Sequence, residues 1–191
     1  MRTDATPYGY RTSRLRALLS WAGVIVAALA ISTFFKAFIG AAHAIPSGSM
    51  EGTLQIGDRI WAERLSYALG DEPVAGDIVT FIDQRDPSRT LIKRVIATEG
   101  QTVDLQDGRV LVDDQVLDEP YTDGKPTLPL KPVAGPSIAY PCTVPAGTVW
   151  VMGDNRTDSL DPRAFGPIPE DAITGKAFMR TWPIDRFGAL G

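Results

Sequence analysis

Nineteen consecutive residues, Ala17–Phe35, carry no charge and are bounded by Arg16 and Lys36. At about 1.5 Å per residue a helix of that length reaches about 28 Å, close to the ~30 Å hydrocarbon core of a bilayer. The pattern predicts one N-terminal transmembrane helix over 17–35, preceded by a tail over 1–16 and followed by a juxtamembrane connector over 36–44. A cleavable signal peptide is the competing reading, because Ala42-His43-Ala44 has the small-x-small form of a cleavage site. The apolar run exceeds the usual ~7–15 residues of a signal-peptide core, so a retained anchor is expected.

Past residue 45 no long 3.6-residue apolar period continues. Short β-rich runs recur instead, at Arg59–Ala62, Asp77–Ile82, Leu91–Ala97, Thr102–Leu105, Arg109–Val112, Val116–Leu117, Thr148–Met152 and Ala177–Thr181. Asp107-Gly108 separates two of them with the chemistry of a tight hairpin turn, and Asp113-Asp114 is a second candidate. Many short strands with Gly and Pro punctuation predict a mainly β domain over 45–191, an antiparallel sandwich or partly closed barrel. Within it, residues 120–145 hold seven prolines and are expected to form a surface excursion, since proline cannot donate to a central ladder.

Charge gives this organisation a direction. Of a net charge of −4, residues 1–16 carry +3 and the rest therefore carries −7. Basic residues before an apolar span predict a cytoplasmic N-terminus and an extracytoplasmic body. An acidic body is not the basic face that nucleic-acid binding needs. One cysteine, Cys142, and one histidine, His43, exclude an internal disulfide, a zinc-binding cysteine cluster and a multi-histidine metal site.

Scarce His and Cys restrict the chemistry. Ile45-Pro46-Ser47-Gly48-Ser49-Met50 reads as a tight loop presenting a hydroxyl, although the same residues also suit a linker. A serine nucleophile needs a base. His43 lies six residues upstream on the connector, where a solvated or interfacial role suits it. Lys93 lies in the strand Leu-Ile-Lys-Arg-Val-Ile-Ala, on one side with Leu91 and Val95. Burial there would lower its pKa, while a snorkelling stem would leave it an ordinary surface amine. Gly153 to Arg163 packs polar and turn residues at a strand end, either as a functional loop or as a solvated one. Asn155-Arg156-Thr157 also matches a glycosylation sequon, which we take as accidental.

Taken in order, these segments resemble one family, the type I signal peptidases, membrane-bound serine proteases with a Ser–Lys dyad. Ile45–Met50 is similar to its nucleophile box, Gly76-Asp77-Ile78-Val79 with Phe81 to its second, Lys93-Arg94-Val95 to its general-base box, and Gly153–Arg163 to its last. Gly57-Asp58, Leu65-Ser66-Tyr67 and Trp182–Arg186 fit as well. The resemblance implies Ser49 as nucleophile, Lys93 as base and Ser47 as an oxyanion donor alongside the Ser49 N–H. It further implies that Ser159 orients the Lys93 amine and that Asp161 and Arg163 pair to hold the last loop. Ile45, Leu91 and Ile92 are the expected lining of a substrate pocket.

The implied activity is removal of signal peptides from exported preproteins, after small residues at −3 and −1, with no cofactor and no metal. Substrate and enzyme would share the membrane surface, since Ser49 lies only 13 residues past Lys36. A specialised processing peptidase with the same dyad and a non-catalytic envelope-binding β-domain are the alternatives. The sequence departs from the family pattern at Gly52, at Glu99-Gly100-Gln101 and at Thr157-Asp158.

Overall fold

The structure, a computed structural model, describes residues 10–34, 40–133 and 137–190. It divides into two units, residues 1–39 and 40–191.

In the first unit, helix α1 runs Tyr10–Phe34. It begins seven residues before the expected span, because Arg11 to Arg16 contains good helix formers that extend the helix beyond its uncharged part. Residues Arg16–Thr33 are long and apolar enough to cross a membrane. Leu18, Leu19, Trp21, Val24, Ile25 and Leu29 are all exposed, so apolar side chains surround the helix instead of forming one stripe. The expected end at Phe35 and residues 36–39 of the connector lie outside the described residues.

The second unit is mostly β and all its strand pairs are antiparallel. Its strands are β1 (Ala41–Ala44), β2 (Arg59–Glu63), β3 (Ile78–Ile82), β4 (Thr90–Ala97), β5 (Thr102–Gln106) and β6 (Arg109–Val112). There follow β7 (Gln115–Val116), β8 (Cys142–Thr143), β9 (Thr148–Met152), β10 (Ile168–Pro169), β11 (Ile173–Trp182) and β12 (Gly188–Ala189). Two short helices, α2 (Leu65–Ala68) and α3 (Pro162–Phe165), lie in the connections. The larger sheet has the order β1-β2-β11-β3-β4-β9-β10, with β12 added on β11; the smaller is β7-β6-β5-β8.

The apolar run of β9 is continuous because both of its faces are covered. Val149 and Val151 pack with Val79, Phe81, Val95 and Ile168. Trp150 and Met152 turn the other way and join Ile96 to Val103, Val110 and Val112 of the smaller sheet. A third cluster, Ile45, Met50, Leu54, Ile60, Ile78 and Ala177, seats the segment that enters from β1.

Asp107 and Gly108 have φ of 48° and 77°, and Gln106 pairs with Arg109 across them. Asp113 and Asp114 have φ of 50° and 63° between the paired Val112 and Gln115. Two central residues with positive φ make the tight turns whose twist matches the strands.

One expectation needs correction. Part of the connector, Ala41–Ala44, is strand β1, paired from Ala41↔Ala62 to Ala44↔Arg59; small residues beside β2 gave no alternating pattern to read. The proline-rich stretch is also fastened to the rest of the unit. The Thr127 N–H donates to Gly108 O, the Val133 N–H to Ala164 O, and Cys142 pairs with Val103.

In the Asp107-Gly108 turn Gly108 has little room for a side chain, since a Cβ there would lie 3.1 Å from Pro126 Cβ at positive φ. Gly108→Val is expected to cost about 1–3 kcal/mol, read as a lower urea midpoint with an unchanged slope. An unchanged midpoint would show that the turn is not held in this form.

Candidate active site

Two buried anchors fix the chain around Ser49. Ile45 pairs through its N–H with Asp58 O and accepts from the Gly57 N–H, and its side chain lies in the core. Met50 is fully buried and its carbonyl accepts from the Thr53 and Leu54 N–H groups. Between these anchors Gly48–Met50 forms a single 3-10 turn with half-buried Ser49 at its centre. Ser47 precedes the turn in extended conformation and is exposed, and its hydroxyl does not cap the turn.

Lys93 comes from the middle of β4, opposite Val79 and in the row of Leu91 and Val95. It is 3% exposed, and its Nζ lies 2.5 Å from Ser49 Oγ. Burial lowers its pKa to about 8, and the Arg163 charge acts in the same direction. Asp161, Asp154 and Asp158 pull the other way. Each of the first two is paired. Asp161 receives Arg163 Nε and Nη2 at 2.9 Å each, with both side chains fully buried. Asp154 receives Arg94 Nε at 2.9 Å and Nη2 at 2.8 Å, and the Thr53 hydroxyl at 2.6 Å. The two carboxylates are thus largely offset by cations of their own, and desolvation decides the state of the amine.

The loop after β9 carries these pairs. Asp161 also accepts from the Gly153 N–H at 3.2 Å and caps α3 through the Arg163 N–H. Arg156 donates to Gly153 O, Thr127 Oγ1 and both oxygens of Glu119. The Arg94 guanidinium stacks 4.0 Å over the Tyr121 ring, and Arg163 Nη1 donates to Leu128 O. Segment 119–128 is in this way closed over the loop.

Two expectations differ from this geometry. The Ser159 hydroxyl is buried and makes no hydrogen bond among the described residues, so it does not orient the Lys93 amine. It sits against Gly153, while Lys93 Nζ has Ser49 Oγ as its partner. Ile45, Leu91 and Ile92 do not form one pocket wall. Ile45 is inside the core with Ile92 packed on the same cluster, whereas Leu91, one residue along the pleat, packs with the cluster of Val79 and Phe81. Asn155 is buried with its amide hydrogen-bonded, so its sequon offers no acceptor to a glycan. His43 sits in β1 opposite Ile60, and burial lowers its pKa.

Sequence reasoning missed the Arg94–Asp154–Thr53 cluster, the Glu119–Arg156 pair and Gly153 itself. The available signal was the adjacency of two cations, Lys93 and Arg94, in a strand otherwise built of aliphatics. No group of three or more His, Cys, Asp or Glu positioned to hold a metal occurs among the described residues.

The family described as "Signal peptidase, peptidase S26" matches residues 18–182. The chain belongs to that family. Its relatives include a signal peptidase I of Leptolyngbya laminosa, 38% identical over 174 residues, covering 87% of this chain and 79% of the relative. A signal peptidase I of Mycobacterium tuberculosis (strain ATCC 25618 / H37Rv) is 34% identical, covering 94% of this chain and 78% of its own length. A solved signal peptidase I from Enterococcus faecalis V583 covers 56% of this chain and 97% of its own, at 26% identity and a TM-score of 0.44.

For this S26 member, Gly153 is the tightest contact around the candidate site. A Cβ there would lie 2.2 Å from Ser159 Oγ and 2.4 Å from Ser49 O. Gly153→Ala must displace the Ser49 turn, and misplacement by about 1 Å can cost ~10²-fold. Labelling of Ser49 by a serine-directed phosphonate is expected to slow by about that factor, and an unchanged rate would contradict the contact.

Proposed function

We propose that this chain is a signal peptidase I, an endopeptidase that removes N-terminal signal peptides from exported preproteins after small residues at −3 and −1. Ser49 is its nucleophile and neutral Lys93 its general base. The observation that carries this reading is the buried Lys93 amine 2.5 Å from the Ser49 hydroxyl, in a chain of the S26 family.

The chemistry follows from those two groups. As Ser49 Oγ forms a bond to the scissile carbonyl carbon, its proton passes to Lys93 Nζ. The carbonyl oxygen becomes an oxyanion, met by the Ser49 N–H and the Ser47 hydroxyl. Collapse breaks the C–N bond, and Lys93 gives the proton to the leaving amine, the new N-terminus of the exported protein. Lys93 then takes a proton from water, whose oxygen attacks the acyl carbon. The signal peptide leaves as a carboxylic acid that gives its proton to solvent, and Lys93 returns the proton it took from water to Ser49 Oγ. Asp161 and Arg163 hold the loop that closes the site, and Ser159 fills the space beside Gly153.

The apolar α1 anchors the enzyme in the cytoplasmic membrane by a single pass. The basic residues before it keep the N-terminus inside, so the β unit works on the extracytoplasmic face. A specialised processing peptidase has one observation in its favour. The thylakoidal processing peptidase 1 of Arabidopsis thaliana is 36% identical over 82% of this chain, although the match covers 46% of that protein.

Full-length protein in detergent micelles, assayed on several unrelated preproteins, tests both readings. Ser49→Ala and Lys93→Ala should each lower cleavage by about 10³-fold or more, and the double variant should be no worse than either single one. Substantial cleavage by either variant would sink the dyad, and cleavage of one preprotein alone would favour the specialised enzyme.

A further inference from the structure

Asn155 is 4% exposed and touches three segments at once. Its Nδ2 donates to Gly48 O at 3.0 Å and to Glu51 Oε2 at 3.2 Å. Its Oδ1 accepts from Lys125 Nζ at 2.9 Å, and its backbone N–H donates to Ser49 O at 3.1 Å. The chemistry of the partners fixes which way the amide faces: the lysine ammonium can only donate, and the carbonyl and carboxylate can only accept.

The contact with Gly48 O has a consequence one bond further on. The peptide joining Gly48 to Ser49 is planar and trans, so its C=O and its N–H point in opposite directions. Holding the Gly48 carbonyl toward Asn155 therefore sends the Ser49 N–H to the other side. That N–H, within the first turn of a 3-10 helix, has no acceptor inside the turn and is open to an incoming oxygen. Glycine at position 48 makes the restraint necessary, because rotating this peptide unit meets no Cβ on that residue. The Glu51 N–H also holds Gly48 O, at 3.0 Å, but it belongs to the same small turn and moves with it. Asn155 comes from the loop fastened to the core by Asp154, Arg156 and Asp161.

We propose that Asn155 is a positioning residue that locks the Gly48–Ser49 peptide with its N–H toward the oxyanion of the transition state. This rests on the reading of Ser49 as the nucleophile. Asn155→Asp keeps the size and the Lys125 contact but sets a carboxylate against Gly48 O and the Glu51 carboxylate. The glycine-linked peptide then relieves the repulsion by turning its N–H to the new acceptor. Asn155→Ala removes the donor without adding charge.

The test uses the full-length protein in micelles and an exported preprotein. For both variants kcat should fall by about 10²-fold at a pH where Lys93 is neutral, with KM within about twofold. Binding of a peptide aldehyde, which forms an oxyanion on Ser49, should weaken by the same factor of about 10². Binding of a non-cleavable peptide of the same sequence should not change, nor should the pH midpoint of the alanine variant. Lys125→Met, which removes only the contact on the other edge of the amide, should cost less than about threefold. A loss below threefold in both Asn155 variants overturns the proposal. So does equal weakening of the aldehyde and the non-cleavable peptide, which marks a structural role alone. Those results leave the Ser49–Lys93 reading intact; absence of cleavage by the wild type overturns both.

Discussion

A lysine that is to lose its proton near neutral pH, as proposed for Lys93, cannot sit in water or beside uncompensated carboxylates. Lys93 satisfies the first condition by lying at the middle of β4 beneath the aliphatic rows of its neighbours. It satisfies the second because Asp154 and Asp161, the carboxylates that most strongly favour its charged form, each have a buried arginine of their own. Were either arginine removed, the unpaired carboxylate would hold the Lys93 proton. Buried ion pairs are poor contributors to stability compared with hydrophobic packing of the same volume. Here their position explains them better as electrostatic shields around one amine.

Much of the β unit serves that arrangement. Core residues on both faces of β9 set the start of the following loop rigidly, and the loop returns through α3 with Arg163 inside. Arg156 and Arg94 reach from loop and strand to Glu119 and Tyr121, so the proline-rich segment covers the pairs and keeps water from them. The same loop approaches the Ser49 turn so closely at Gly153 that a methyl group has no room. Serine, amine and shields are therefore one packed object, and a change at any of them is felt at the others.

The parts legible in the sequence were those with a local cause. Short β-rich runs gave β2 to β6 and β9, and the Asp-Gly and Asp-Asp pairs gave their turns, because positive φ needs those side chains. Strands β8, β10 and β12 are two residues long and have no period to read; partners in the sheet, not propensity, make them strands. Strand β11 begins at Ile173, ahead of its expected start at Ala177, and its pairing with β3 is bulged between Ile173 and Gly175. In the site, Ser49 and Lys93 were singled out through the resemblance of short ordered segments to the family. Gly153, Asn155 and the Arg94–Asp154 pair could not, since their meaning lies in contacts some 60 to 107 residues apart. The Ser159 hydroxyl and the pocket lining were misjudged for the same reason: which atom a side chain meets depends on the loop as folded.

The state of Lys93 carries the whole account, and it can be read without any substrate. The chain has five lysines, so the side-chain amines of the full-length protein in micelles, labelled with 13C and 15N, can be followed individually by NMR through a pH titration, with Lys93→Met supplying the assignment. A midpoint of about 8 is expected for Lys93. A midpoint at the ordinary amine value of about 10.4 would contradict it.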